Sequence, residues 1–289
     1  MKRARESKLI LCRFLFAQLH LDSLVGKRSP KAIRNALERL PTGSEAYDQA
    51  YDDAMKRIGS QVSDRKGLAM QTVGWITCAR RPLTTFEFQH ALAIEVVGPP
   101  LFDPENIAQV EDIVSACVGL VTVDVQTGFV RLVHYTTQEY FDRKRAQWFP
   151  RVNKDMTLAC VTYLSYDSFQ DSAVHTEVGF DERLGLYPFY YYASCNWGYH
   201  VREAQSQGAS PEVMQFLKSK GHFEAALKTL LVNGNLQERH RLRSTHTTSQ
   251  PGRLGTALHM AAYFGINSAV SALLDQEDPD GEDVFKRTF

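Results

Sequence analysis

The first half of the chain carries helix and turn signals in an order that few folds accommodate. A helix is predicted over about Lys66–Arg80, and Pro82 ends it. Thr84 and Glu87 then have the spacing of a capping box, in which each side chain satisfies the free backbone N–H of the other residue. This box predicts a second, short helix, which ends before the loop at Gly98.

A third helix is predicted over about Asn106–Cys117. Two β-branched runs follow, Leu120–Asp124 and Phe129–Val133, and the turn residues Gln126-Thr127-Gly128 between them indicate a β-hairpin. Three helices followed by a hairpin are the elements of a winged helix. We therefore expect a winged helix with a small β-hairpin over residues 61–145.

The residues before this region predict helices that pack against neighbours. Ser29 and Pro30 supply an N-cap and a proline at the first helical position, and Pro41 ends that helix. Apolar residues recur at three- and four-residue spacing in two predicted helices, Ile33, Ala36, Leu37 and Leu40 in one and Tyr47, Tyr51, Ala54 and Ile58 in the next. Such stripes indicate packing faces, so residues 1–60 are predicted to be a helical segment.

A helical domain is predicted over residues 146–238. Its aromatic residues are concentrated in one stretch, at Tyr187, Phe189, Tyr190, Tyr191, Tyr192, Trp197 and Tyr199. Aromatic side chains at this density usually form the core of a helix bundle, because each buries a large apolar area. A cofactor-binding box is the alternative. Residues 239–253, rich in Ser, Thr, His, Arg and Gly, are predicted to be a linker.

The last recognisable unit predicts a pair of short helices. Its motif consists of Gly255, Thr256, Leu258, His259, Ala261, Ala262 and Gly265, and it resembles an ankyrin repeat with Ala257 in place of the usual proline. The resemblance implies that the threonine and histidine bridge the backbone and that the glycine turns the chain between the helices. One repeat cannot bury its own faces, and about three are needed for an independent core. Residues 254–289 are thus predicted to be an ankyrin-like repeat with an acidic tail, from an array cut short.

The expected fold class is mainly α, with a helical segment, a winged helix with its hairpin, a helical bundle and a single ankyrin-like helix pair. With 44% apolar and 11% aromatic residues the chain can bury such cores. Its 33 basic and 33 acidic residues cancel, so the net field attracts neither nucleic acid nor anionic membrane.

Cysteine usage and hydropathy indicate the compartment. The five cysteines lie far apart without a CxxC pair, which is typical of reduced thiols. The apolar stretch Leu9–Val25 carries polar and charged residues and predicts a soluble helix, not a membrane span. Basic residues precede it, so a signal or transit peptide is the alternative. We expect a cytoplasmic protein, with the nucleus as a second location.

Motifs for catalysis and cofactor binding are absent from the sequence. Gly26-Lys27 is followed by Arg28 instead of serine or threonine, so it is not a phosphate loop, and GxGxxG, HExxH and GxSxG patterns do not occur. Cys195 and His200 lack a second pair at metal-ligand spacing, so a core cysteine is preferred to a zinc ligand. We expect the chain to have no enzymatic activity and to bind no cofactor, no metal and no small-molecule substrate.

Isolated polar residues are interpreted structurally for the same reason. His134 and His259 are each predicted to be satisfied structural histidines. The paired acids Asp52-Asp53 and Glu111-Asp112 are predicted to lie on solvated faces, because their sequence contexts are polar.

Winged helices often bind DNA, and local charge argues against that here. Between Pro82 and Val130 the chain has no Lys or Arg but seven acidic residues, Glu87, Glu95, Asp103, Glu105, Glu111, Asp112 and Asp124. A helix that enters a major groove needs the opposite charge. We therefore expect protein partners and no nucleic acid, and a nucleic-acid-binding winged helix is the alternative.

Three long motifs resemble fungal NACHT and ankyrin-repeat proteins of the NLR-like STAND class. They are LTTFEFQHALA from Leu83, GLVTV from Gly119 and RLVHYTTQEYF from Arg131, and they resemble the winged-helix region named after GPI inositol-deacylase. The motif positions include Leu83, Thr84, Glu87, Gly119, Leu120, His134 and Tyr135. Further similarity, from Phe16–Leu24 to Tyr192–Gly198, extends the resemblance over most of the chain.

The resemblance implies a regulatory role. In that family an upstream ATPase core acts as a switch, the winged-helix and helical segments hold it in one arrangement, and ankyrin repeats bind a partner. The first residues here match only the helix after the nucleotide-binding core, so nucleotide binding is not implied. Hydrolysis is not implied either, because the deacylase activity belongs to a separate domain whose serine motif is absent.

The expected function is a non-catalytic regulatory scaffold that mediates protein–protein interaction, as a fragment of a NACHT–ankyrin signalling protein. The alternatives are a nucleic-acid-binding winged helix and a truncated gene product without independent function.

Overall fold

The computed structural model describes residues 27–38, 45–169, 177–204, 210–234 and 256–275, together with Leu21. Within these residues the chain has thirteen α-helices and one three-stranded antiparallel sheet, so the mainly α fold class predicted from the sequence is confirmed. The predictions for the opening helix, the linker and the acidic tail lie outside the described residues. None of the described helices is long and apolar enough to cross a lipid bilayer.

The helix α1 (Pro30–Glu38) begins where the sequence predicts. The Ser29 hydroxyl accepts a hydrogen bond from the backbone N–H of Ala32 at 3.2 Å, as an N-cap residue does. The described part of the predicted apolar stripe does not form a packing face, because Ile33 and Leu37 are 37% and 49% exposed and no residue of this helix is buried. Leu40 of the stripe lies outside the described residues.

The next helix, α2 (Glu45–Gly59), buries its stripe as predicted. Tyr51, Ala54 and Ile58 are almost fully buried together with Met55, and Tyr47 of the stripe is half-buried. Unlike α1, α2 packs against two later helices, and these helices cover its apolar face.

A winged helix follows α2. Its elements in chain order are α3 (Ser63–Cys78), β1 (Leu83–Thr84), α4 (Thr85–Leu92), α5 (Val110–Ala116), β2 (Val121–Val123) and β3 (Phe129–Leu132). The order helix, strand, helix, helix, strand, strand contains the predicted three helices and hairpin, and adds the strand β1, which the sequence pattern did not predict.

The sheet has the order β1-β3-β2, so β3 is central. Leu83 on β1 lies opposite Val130, and Val121 on β2 lies opposite Leu132. These four side chains are buried, and they form the face of the sheet that covers the helices. The hairpin turn ends at Gly128, whose φ of +68° is a conformation that favours glycine.

After β3 the chain forms α6 (Tyr135–Trp148), which runs antiparallel to α2 and also contacts α3. The contacts fix this direction, because Tyr51 meets Thr136 near the start of α6 whereas Asp48 meets Arg143 near its end. The helices that precede and follow the winged helix are therefore paired with each other.

The described chain divides into two compact units. The first combines residues up to 92 with residues 107–152, and the second combines residues 93–106 with the residues from 153 onward. The loop between α4 and α5 thus belongs to the second unit, although the domain boundaries predicted from the sequence place it inside the winged helix; those boundaries stay predictions. Within the second unit this loop is tied by the Asp167 N–H, which donates to the Pro100 carbonyl at 2.9 Å.

The second unit is a helical bundle. It contains α7 (Val152–Leu164), α8 (Glu177–Leu186), α9 (Phe189–Glu203), α10 (Pro211–Lys218) and α11 (Lys220–Gly234), together with 3-10 turns at Pro104–Asn106 and Asp167–Phe169. Its core is aromatic, as the sequence predicts. The Phe169 ring lies 4.4 Å from that of Tyr190, and Phe189, Tyr192 and Trp197 are also buried.

The last described residues form two short helices, α12 (Ala257–Phe264) and α13 (Asn267–Leu274). Phe264 at the end of α12 is fully buried, and its ring centroid lies 5.1 Å from that of Trp197 on α9. Gly198, one residue further along α9, leaves the space that the Phe264 ring occupies.

Candidate functional site

The turn between α3 and α4 is held by one carboxylate. Glu87 accepts a hydrogen bond from the Thr84 N–H at 2.9 Å, and the Glu87 N–H donates to the Thr84 hydroxyl at 3.3 Å, so the predicted capping box is present. Both Glu87 oxygens also accept from the Arg81 guanidinium, at 2.6 and 2.9 Å. This bidentate pair fixes the turn and, through Leu83, the attachment of β1 to the sheet.

Gly119 and Leu120 form the turn from α5 into β2. Gly119 has φ of +79°, and the preceding Val118 has φ of +51°, which is uncommon for a β-branched residue. Leu120 is fully buried, and its carbonyl accepts from the Val133 N–H at 3.1 Å. The glycine in the motif is therefore explained by the backbone conformation that this turn requires.

His134 and Tyr135 begin α6. His134 is the N-cap residue, and its Nδ1 accepts from the Thr136 N–H at 3.2 Å. Nδ1 is thus an acceptor, and the proton of the neutral ring is on Nε2. His134 is buried, whereas Tyr135 is 46% exposed, with the two ring centroids 4.3 Å apart. The histidine caps a helix, and the tyrosine presents a ring to solvent.

The pairing of α2 with α6 rests on a polar network that the sequence did not predict. Asp52 Oδ1 accepts from the Tyr140 hydroxyl and from Lys144 Nζ, the latter at 2.9 Å. The Tyr140 hydroxyl in turn accepts from Trp148 Nε1 at 2.9 Å. Burial acts to raise the pKa of Asp52, but the hydrogen bonds from Tyr140 and Lys144 outweigh it and lower that pKa.

This network corrects the interpretation of the acid pair on α2. Asp53 agrees with that interpretation, because it is exposed and pairs with the exposed Lys56 at 2.8 Å. Asp52 does not, because its side chain is about 30% exposed and bridges to α6. No local signal separates the two aspartates, since their partners lie 3 residues away in one case and 88 and 92 in the other.

Apart from Gly255, which is outside the described residues, the residues of the ankyrin-like motif lie within α12 or at its two caps. Thr256 and His259 form a capping box: the His259 N–H donates to the Thr256 hydroxyl at 3.4 Å, and His259 Nδ1 accepts from the Thr256 N–H at 3.2 Å. Gly265 ends the helix with φ of +70°. Of the others, Ala261 is fully buried, Leu258 is half-buried and Ala262 is exposed.

Candidate ligands for a metal are not brought together. Among the residues that the structure describes, no three His, Cys, Asp or Glu side chains are grouped as a metal would require. Cys195 is buried, and His200 Nε2 lies 2.9 Å from the Tyr192 hydroxyl. Burial raises the pKa of the Cys117 thiol to about 12 and shifts that of Cys160 in the same direction, so both behave as core residues.

The surface that a DNA-binding winged helix would place in a groove is acidic. On α5 the side chains of Glu111 and Asp112 are exposed, while Ile113 and Ala116 are buried. The wing turn adds Asp124, which Arg131 pairs with at 3.0 Å. The two exposed carboxylates on α5 would repel phosphates.

A cleft of about 360 Å³ lies on the first unit, between the end of α3, the turn before β1, β3 and the start of α6. Arg80, Arg81 and Arg131 line it, together with Tyr135 and Gln138, and we name it the arginine cleft. Among the described residues, no aspartate or glutamate lines it. Sequence reasoning missed this grouping, because Arg80 and Arg81 come from the turn before β1 and Arg131 comes from β3, about fifty residues further along the chain.

The element order, the capping box and the wing define a winged-helix domain. Residues 56–147 match the family model of the GPI inositol-deacylase winged helix domain. The match covers the elements from the end of α2 to the end of α6 and includes the motif residues from Leu83 to Tyr135. No curated protein and no solved structure gives a significant match to the chain.

Proposed function

We propose that this chain is a non-catalytic regulatory scaffold, in the cytoplasm, that acts by binding other proteins. The observation that carries the proposal is the acidic third helix: α5 presents Glu111 and Asp112 to solvent, in a segment from Pro82 to Val130 that has no Lys or Arg. A winged helix with this charge is suited to protein partners, because DNA binding depends on neutralising phosphates with basic side chains.

The rigid construction of the winged helix also favours this role. Its entering and leaving helices are joined through Tyr51, Asp52, Tyr140 and Lys144, and its first turn is fixed by Glu87. Polar groups are used here in buried or half-buried hydrogen bonds that hold elements together. A scaffold needs such preorganised surfaces, because each ordered side chain lowers the entropy lost on association.

A more specific part of the proposal concerns the origin of the chain, which we take to be a NACHT–ankyrin signalling protein. It is supported by the winged-helix match, a domain type associated with NACHT proteins, and by the resemblance of the α12–α13 pair to an ankyrin repeat. Mapping both ends of the native transcript tests this part. A reading frame that includes a glycine-lysine phosphate loop upstream and more repeats downstream supports it, and a frame that has neither contradicts it.

Site-specific photocrosslinking in the source cells tests the scaffold itself. A crosslinking amino acid is placed singly at three exposed positions: Glu111 on α5, Val125 in the wing and Val97 in the loop of the second unit. We expect a discrete protein adduct at one or more of them, and excess unlabelled folded protein should suppress it by competition. If none of the three positions gives a protein adduct that excess unlabelled protein suppresses, the proposal is contradicted.

The nucleic-acid alternative is examined with the purified chain. Fluorescence anisotropy with a labelled DNA duplex is measured at low and at physiological salt. Salt-sensitive binding that substitutions between Asn106 and Val133 abolish would favour the nucleic-acid function. Absence of binding, together with no turnover of ATP or of ester substrates, is the result we expect.

A further inference from the structure

The helix α1 keeps its apolar face open to solvent, because none of its residues is buried. Its two large apolar side chains, Ile33 and Leu37, are both exposed. They lie four residues apart and therefore on one face of the helix, and Ala36 lies on the same face. A stripe of this kind is normally buried against another element, so α1 presents an apolar face that the described residues leave uncovered.

Positive charge accompanies this apolar face. Lys27 and Arg28 precede the helix, and both are exposed. Lys31 and Arg34, three residues apart, lie on the polar face of α1 and are exposed as well. Within the described part of the chain, none of these four side chains forms an ion pair, a hydrogen bond or a ring contact. Glu38 is the single carboxylate of α1, so the segment has an excess of positive charge.

The net charge of the chain is zero, but its charges are segregated along the sequence. The four cations lie within residues 27–34, whereas residues 82–130 contain seven acidic residues and no basic ones. Screening limits the reach of such charges to about 8 Å at physiological ionic strength. A negatively charged surface is therefore attracted where α1 meets it, whatever the sum over the whole chain.

An anionic bilayer surface complements both faces of α1. A helix with an apolar face and a cationic polar face lies in the plane of the lipid headgroups, with its apolar side chains towards the acyl chains. Lys and Arg side chains are long enough to bend towards lipid phosphates from the polar face. A nucleic acid would contact the cations but leave Ile33 and Leu37 in water. An acidic groove in a protein would enclose the apolar stripe but would not reach Lys31 on the opposite face.

We propose that α1 docks on an anionic membrane surface, with Ile33 and Leu37 in the headgroup region and the four cations at lipid phosphates. The helix lies on the bilayer, because its nine residues are far fewer than the about 20 that a membrane-spanning helix needs. This inference goes beyond the proposed function, because it gives the scaffold a surface at which to meet its partners.

Co-sedimentation of the full chain with lipid vesicles tests the inference. The vesicles are either pure phosphatidylcholine or an equimolar mixture of phosphatidylcholine and phosphatidylserine. We expect binding to the mixed vesicles alone, and higher salt should weaken it. Lys31→Gln/Arg34→Gln should lower the affinity by at least roughly tenfold. Lys218→Gln/Lys220→Gln is the matched control, because it removes two exposed cations elsewhere, and it should bind as the wild type does.

The apolar face is tested by a variant of its own. Ile33→Gln/Leu37→Gln keeps all four cations and should also lower the affinity for the mixed vesicles by at least roughly tenfold. Because both side chains are exposed, the midpoint of urea unfolding should stay at the wild-type value. Unchanged vesicle binding of this variant would show that charge alone is responsible, and would overturn the docking of the helix.

Other outcomes also overturn the inference. These are equal binding to the two kinds of vesicle and an equal loss of affinity in the control variant. A DNA duplex that binds wild type and Ile33→Gln/Leu37→Gln equally, and displaces the wild type from vesicles, assigns the cations to nucleic acid instead. A crosslinking amino acid at Leu37 that captures a protein, without vesicle binding, assigns the face to a protein groove. If no vesicles are bound while the photocrosslinks at Glu111, Val125 or Val97 persist, the membrane inference falls and the scaffold proposal stands.

Discussion

The hydroxyl of Tyr140 on α6 donates a hydrogen bond to Oδ1 of Asp52 on α2, although 88 residues separate the two along the chain. Lys144 donates to the same carboxylate at 2.9 and 3.0 Å. This half-buried carboxylate is one of several polar links between the helices on either side of the winged helix, and the neighbouring Asp53 is a matched comparison for it.

Asp52→Asn should destabilise the first unit, because it removes the charge to which Tyr140 and Lys144 donate. Hydrogen bonds to charged groups contribute about 1.5–3 kcal/mol, and partial exposure puts the expected loss at about 1–2 kcal/mol. Urea denaturation followed by circular dichroism measures it. Asp53→Asn is the matched control and should change little, since its contact with Lys56 is exposed. Equal effects of both substitutions would show that the network does not stabilise the fold.

The pH dependence of stability should include a contribution from His90. Burial lowers the pKa of this ring to about 4. An unfolded histidine titrates near 6.5, so between pH 6.5 and 4 the unfolded chain binds a proton that the folded chain does not. The contribution of the neutral His90 ring to the free energy of unfolding is fully present above pH 6.5 and is lost as the pH falls to about 4. For a half-buried ring we expect about 1–2 kcal/mol, after allowance for solvent screening.

His90→Gln should flatten this part of the pH profile. The free energy of unfolding is measured for wild type and variant at pH 8, 6 and 4, and the difference between them at pH 8 serves as the internal reference. A difference that stays constant down to pH 4 would contradict the assignment of this pH dependence to His90.

Glu87→Gln should weaken the turn between α3 and α4. The substitution removes the charge that both nitrogens of Arg81 contact, while an amide oxygen can still accept from the Thr84 N–H. We expect a loss of about 1–3 kcal/mol in the free energy of unfolding. Glu111→Gln, on the exposed side of α5, is the control and should leave the midpoint of urea unfolding unchanged. If Glu87→Gln also leaves it unchanged, the bidentate pair does not stabilise the domain.

Gly198→Ala tests the packing of α9 on α12. A Cβ at this position would overlap the Phe264 ring, so we expect a destabilisation of about 1–3 kcal/mol from overpacking. Gly185→Ala, on α8, meets nothing within 4 Å and should instead stabilise its helix by about 0.5–1 kcal/mol. Thermal unfolding distinguishes the two. Phe264→Leu combined with Gly198→Ala should recover part of the loss, and strict additivity of the two changes would contradict a direct contact.

Local signals in the sequence predict the elements of the winged helix well. The capping box depends on the three-residue spacing of Thr84 and Glu87, and the wing turn depends on the positive φ of Gly128. Both features are therefore encoded within a few residues. The strand β1 was missed because two residues carry no alternating pattern, and it is a strand only by pairing with Phe129 and Val130.

The features that join distant parts of the chain could not be predicted from those signals. Asp52 and Asp53 have the same local context, and only the position of α6 gives one of them a buried partner. The arginine cleft likewise depends on the turn before β1 meeting β3. The apolar stripe of α1 was a sound helix signal, but a stripe specifies a packing face only if another element covers it.

The antiparallel pairing of α2 and α6 places the entrance and the exit of the winged-helix domain side by side. Arg143 near the end of α6 meets Asp48 near the start of α2, at 2.6 Å. A pull on the two flanking segments would therefore load this pair first and then the contacts further along, one after another. The two outer helices would therefore separate progressively from this end of the domain, before the sheet and the inner helices are pulled apart.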